Sequence, residues 1–175
     1  VARIPFEVSN EQKKELLCLR EKRMRRALTE VPNHFLETLK RINDKGIKAG
    51  IISNADLIDK KYWNESALRP FFDDAVFSCD VGILKPDPLI YNLAMERLGV
   101  LPQECVFVGD GGSNELFGAR RVGMKTILSE VLDVKDEKKR RQIMKDADYC
   151  ISEFQEILKC LDDEIPKYND LFYAT

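Results

Sequence analysis

The chain is expected to fold as an α/β protein, a three-layer α/β/α arrangement in which helices cover both faces of a parallel sheet. Three observations carry this expectation. Short apolar runs rich in β-branched residues alternate with capped helical segments along most of the chain. Those runs are short and nearly all apolar, as strands buried on both faces are. Polar groups with useful chemistry gather where the runs end, which is where open parallel sheets bind ligands.

In chain order, residues 9–28 read as a helix: Ser9 and Gln12 fit a capping box, and Leu16, Leu17, Leu19, Met24 and Leu28 give a partial apolar stripe. The basic run from Arg20 to Arg26 reads as a solvated face. Before this helix Ile4, Phe6 and Val8 alternate, but Pro5 demotes that segment to an edge at most. A second helix starts at Pro32, with Phe35, Leu36, Leu39 and Ile42 along one side and Gly46 as its stop. Ile47 to Ser53 is a buried strand, Asp56 to about Ser66 a helix, and Ala75 to Ser78 a short strand. Pro86 to Leu98 is a helix with Pro88 in its first turn and Gly99 after its end. Cys105 to Val108 is a strand, Ser113 to Val122 a helix ended by Gly123, and Met124 to Leu128 another strand. Lys135 to Lys145 is a charged, mostly solvated helix or loop. Asp148 to Ile151 is the last strand, and Ser152 with Gln155 is a second capping-box pattern opening a helix over 153–162.

Composition narrows the function classes. Lys and Arg number 28 against 30 Asp and Glu, a formal net charge of −2, so no global basic field favours nucleic acid. No apolar run reaches the ~18 residues that would span a membrane, and no secretory pattern is visible. The five cysteines are scattered, odd in number and without a Cys-x-x-Cys pair, which reads as reduced thiols in a cytoplasmic protein. The single histidine, His34, lies near the start of a helix, and no Cys/His cluster suggests zinc. Acid–base chemistry therefore falls to carboxylates.

Three places could supply it. The strand over 47–53 ends in Ser53-Asn54, the strand over 105–108 is followed by Gly109-Asp110, and the loop Gly82-Ile-Leu-Lys85-Pro86 sets an ammonium just before a helix. Asp110 ends an apolar strand and must meet water, a donor or a cation, because a bare buried carboxylate is costly. Gly111 and Gly112 permit close backbone approach. Each group also has an ordinary use: the serine as a turn former, the lysine as a solvated charge, the aspartate as a cap. Together a carboxylate suited to Mg²⁺, a lysine suited to phosphate oxygens and a hydroxyl form the equipment of phosphoryl transfer.

Ile51-Ile-Ser-Asn54, the run from Gly82 to Tyr91 and Val108-Gly-Asp-Gly-Gly-Ser-Asn-Glu115 resemble, in order and spacing, the second, third and fourth motifs of the haloacid dehalogenase (HAD) superfamily of hydrolases. The resemblance covers roughly residues 32–160. It implies a Rossmann-like core over 31–164, the end of a helical cap over 1–30 and a C-terminal tail over 165–175. It implies that Ser53 and the Asn54 backbone hold a phosphoryl group, that Lys85 neutralises it, and that Asp110 ligates Mg²⁺. Asn114 and Glu115 would orient metal-bound water or Lys85; Glu115 stands where aspartate is commoner. The implied activity is a Mg²⁺-dependent phosphatase acting on a small phosphorylated metabolite. The family's first motif, an Asp-x-Asp whose first aspartate is the nucleophile, does not occur before Ser53. In the family that strand lies between those ending at Ser53 and Asp110, so a longer chain is expected. Three alternatives stand beside this one: a non-catalytic module of the same fold, a metal-independent dehalogenase relative, and a phospho-receiver domain. Substrate identity and oligomeric state are not legible.

Overall fold

The structure, a computed structural model, describes residues 8–164. The helices are α1 (Asn10–Thr29), α2 (Asn33–Asp44), α3 (Leu57–Lys60), α4 (Ser78–Val81), α5 (Pro88–Leu98), α6 (Glu115–Arg121), α7 (Glu137–Ile143) and α8 (Ile157–Glu164). The strands are β1 (Gly50–Ser53), β2 (Asp74–Phe77), β3 (Val106–Gly109), β4 (Lys125–Ser129) and β5 (Tyr149–Ile151). Ile4 and Phe6 of the expected edge segment, and the tail over 165–175, lie outside the described residues.

All ladders are parallel, as the alternation of strands and helices requires. They form two sheets, one of β1 and β2, the other in the order β3-β4-β5. Among the described residues no ladder joins β1 to β3. Helix packing joins the halves instead. On one face Ile90, Tyr91, Ala94 and Met95 of α5 and Ala119 of α6 gather Val76 and Ile52 from the first sheet and Phe107 from the second. On the other, Leu39 and Ile42 of α2 and Ile157, Leu158 and Leu161 of α8 gather Ile127 and Ile151, with Val106, Val108 and Ile47 packed against them. Phe107 facing one layer and its neighbours Val106 and Val108 the other is the two-residue period of a strand covered on both sides.

Local signals mostly hold. The Ser9 hydroxyl accepts from the Gln12 N–H at 3.2 Å, and the Gln12 side chain accepts from the Ser9 N–H at 2.9 Å. Gly46, Gly99 and Gly123 take positive φ where helices were expected to stop. Three elements differ. The helix expected over 56–66 is only the four residues of α3, followed by a 3-10 turn over 63–65. There Trp63 turns inward, edge-on to Phe72 and Phe77, and the Ser66 hydroxyl donates to the Leu28 carbonyl at 2.8 Å; these long-range contacts outcompete continued helix. The cap expected from Ser152 and Gln155 is supplied by Glu156, whose carboxylate accepts from the Ser152 and Glu153 N–H groups at 2.7 and 3.1 Å. A 3-10 turn over 154–156 starts this helix later, and the longer side chain reaches back. Finally, α1 buries no residue: Leu16, Leu17 and Leu19 are more than half exposed. It docks through polar groups, with Arg20 on Asp56 and Asp59 and Glu21 accepting from Lys61 and Tyr62.

Candidate functional site

The ends of β1 and β3 and the loop before α5 meet through side chains. Asn54, just past β1, braces the lysine loop on both sides of one residue: its Oδ1 accepts from the Lys85 N–H at 2.7 Å and its Nδ2 donates to the Lys85 carbonyl at 3.1 Å. Lys85 Nζ then lies 2.5 Å from Glu115 Oε2 and 5.7 Å from the centre of the Phe107 ring. The pair is nearly sealed from water, with side chains 11% and 7% exposed. Glu115 Oε1 accepts from the Gly111 N–H at 3.2 Å, which ties the pair to the loop after β3. One chain of contacts thus runs from Asn54 through Lys85 and Glu115 to that loop.

Asp110 sits at the other end of this group. Its Oδ1 accepts from the Gly112 N–H at 2.7 Å, and its side chain is 58% exposed. Burial alone would raise its pKa. The Gly112 N–H, Lys135 and Lys85 outweigh that and hold the carboxyl below the ordinary carboxylate value. Ser53 ends β1 in register with Phe77, and its hydroxyl makes no hydrogen bond among the described residues. Asn114 is exposed with φ +53, and it lines a cavity of about 190 Å³ with Gly111, Phe117, Lys139 and Ile143. No hydrogen bond among the described residues joins it to Asp110 or Lys85, so the geometry places Glu115, not Asn114, on the lysine.

Four supporting residues escaped the sequence reading. The Asn54 side chain serves as the brace just described, where only its backbone was expected to act. Ser78 is buried, and its hydroxyl bridges the Ala55 N–H and carbonyl at 3.0 Å each, fixing the chain after β1. The buried Tyr91 hydroxyl donates to the Glu115 carbonyl at 2.8 Å, and burial, with Glu115 adding, pushes its pKa up. Lys135, expected in solvent, is buried; its ammonium pairs with Asp133 and lies 3.7 Å from Asp110 Oδ2. The Asp133 bond raises its pKa while burial opposes. Asn54 and Tyr91 had a signal, inside the motifs over 51–54 and 82–91; Ser78 and Lys135 had none.

Gly109 explains part of the spacing. A Cβ there would collide with the Glu115 carboxylate. Gly109→Ala is therefore expected to push Glu115 off Lys85 and lower stability by about 1–3 kcal/mol. Urea unfolding compared with the parent checks this, and an unchanged midpoint would refute it.

Mg²⁺ takes oxygen ligands, often one or two carboxylates, and keeps water or phosphate in its remaining positions. Asp110 fits such a site as a single charged ligand with access to solvent. Among the described residues no group of three His, Cys, Asp or Glu side chains is placed to hold a metal ion. Nor is any described helix long and apolar enough to cross a membrane. All five cysteines are free.

The chain is similar to several known proteins. The chain is 34% identical over 144 residues to glyceraldehyde 3-phosphate phosphatase of Pyrococcus furiosus, covering 78% of this chain and 56% of that one. It thus spans little more than half of that relative. The crystal structure of a HAD phosphatase from Thermococcus onnurineus is 32% identical with a TM-score of 0.58, over 71% of this chain and 55% of that one. A β-phosphoglucomutase structure from Clostridium difficile shares the fold, with a TM-score of 0.65 at 16% identity over 90% of this chain and 65% of that one. The sequence pattern of haloacid dehalogenase-like hydrolases matches residues 5–123, more than half of the chain. The chain belongs to the haloacid dehalogenase-like hydrolase family.

Proposed function

We propose that this chain forms the larger part of a Mg²⁺-dependent phosphatase for a small phosphorylated metabolite. The observation that carries the reading is the junction of Asn54, Lys85 and Glu115 beside Asp110. A lysine held by a nearly buried carboxylate is a fixed positive charge, and fixed charge is what phosphoryl transfer asks of a protein. Lys85 neutralises the phosphoryl group. The Ser53 hydroxyl and the Asn54 N–H hold its oxygens, and Glu115 keeps the ammonium in place. Asp110 holds Mg²⁺, which when bound offsets phosphate charge. The attacking aspartate is supplied by a segment upstream of Val1, on a strand that enters between β1 and β3. The separation of the two sheets supports that placement. In the same reading α1 is the end of a cap over residues 1–30, and its exposed leucines meet the rest of that cap.

The likeness to glyceraldehyde 3-phosphate phosphatase of Pyrococcus furiosus makes a triose phosphate the first substrate to assay. The test joins the upstream segment to this chain and measures phosphate release with and without Mg²⁺. Release that needs Mg²⁺ is the expected result; none from a broad phosphometabolite panel overturns the reading. Asp110→Asn in that protein should weaken Mg²⁺ binding by about tenfold or more, and unchanged affinity would remove Asp110 from the metal.

A further inference from the structure

Lys135 lies in the loop between β4 and α7, and the fold delivers its charge to Asp110. The loop is pinned at its base. Glu130, just past β4, is nearly buried, and Arg140 Nε of α7 donates to its two carboxylate oxygens at 3.1 and 3.0 Å. Within the loop that this pair spans, the Lys135 side chain, 4% exposed, runs inward until Nζ pairs with Asp133 and lies 3.7 Å from Asp110 Oδ2. A lysine on a solvated loop would spread into water. This one is held against the single carboxylate assigned to the metal.

We infer that Lys135 is a built-in competitor for the divalent cation at Asp110. It balances the carboxylate in the metal-free protein and must retreat when the metal arrives. The inference rests on the reading of Asp110 as the metal ligand. An ion at ~2.1 Å from Asp110 Oδ2 would lie close to the ammonium, since both approach the same oxygen. Like charges at such range repel strongly even where water screens them. Asp133 gives the displaced ammonium a second partner, so the lysine can swing aside without losing every ion pair. The site then carries an intrinsic threshold for metal, set by a loop outside the family motifs.

Calorimetric titration with Mg²⁺ of the protein in which the upstream segment is joined to this chain tests it on four versions: the parent, Lys135→Met, Lys135→Arg and Asp110→Asn. Lys135→Met is expected to bind Mg²⁺ about tenfold tighter than the parent, and Lys135→Arg, which keeps the charge, much as the parent does. Should only Lys135→Met bind measurably, the inference stands in its strongest form. If the parent binds through Asp110, with Asp110→Asn losing the heat, while Lys135→Met binds no tighter, the metal assignment survives and the inference alone fails. If none of the four binds Mg²⁺, both fall. A measurement on the unaltered protein guards against a variant that does not fold: the Lys135 side-chain Cε–Hε NMR signals should shift on saturation with Mg²⁺. Signals that stay put in a protein that has bound the metal would overturn the inference.

Discussion

Lys85→Met is expected to lower the stability of this chain by about 3–5 kcal/mol, because it strands the Glu115 carboxylate in a site it cannot leave. Glu115 is held from three directions. Its Oε2 meets Lys85, its Oε1 accepts from Gly111, and its carbonyl accepts from Tyr91. With the ammonium gone, a nearly buried charge retains one hydrogen bond to its carboxylate and little water. The double variant Lys85→Met with Glu115→Leu should recover much of the loss, since removing both charges also removes their desolvation. Urea unfolding of the parent, both single variants and the double variant measures this. Additive losses would show that the two side chains do not act as a pair.

Tyr91→Ala should cost about 3–5 kcal/mol, the cost of emptying a large aromatic site in a packed core. The ring is fully buried, packs edge-on to Phe107 at 5.5 Å between centres, and its hydroxyl holds the first turn of α6. Gly118 shows how tightly it is seated: a Cβ there would stand 2.6 Å from the Tyr91 hydroxyl and 2.9 Å from the Pro86 carbonyl oxygen. Tyr91→Phe isolates the hydrogen bond and should cost about 1–3 kcal/mol, as a buried carbonyl loses its donor. Thermal unfolding of the two variants separates ring from hydroxyl. Tyr91→Phe as damaging as Tyr91→Ala would mean that the hydroxyl, not the packing, dominates.

Much of this was legible in the sequence because its signals are local. Ser9 with Gln12, Gly99 after α5 and the β-branched run ending at Ser53 specify their structure from within a few residues. The segments carrying Ser53, Lys85 and Asp110 could be found for the same reason, since a strand that ends on a polar group announces itself. What was not legible depends on residues distant in the chain. Asn54 braces Lys85 across 31 positions. Trp63 and Ser66 break a plausible helix to reach Phe72, Phe77 and Leu28. Lys135 sits in a charged stretch, and nothing in its neighbours' identities marks it as buried rather than solvated. Its ammonium is held by Asp133 and by Asp110 at the far end of β3, a neighbour that exists only once the strands are folded together.

The two-ladder arrangement has a consequence for how amides would give up their protons to heavy water. β4 is the strand with a partner on each side, through its ladders to β3 and β5, and Thr126, Ile127 and Leu128 at its centre have no exposed surface. Its protons should be released last, through openings that approach unfolding of the whole chain. Among the described residues β1 and β3 each have one paired edge, so local fluctuations that spare α5 and α2 suffice to bare some of their groups. Deuterium uptake should therefore run in a gradient across the molecule, slowest in β4 and faster along the seam where the halves face each other.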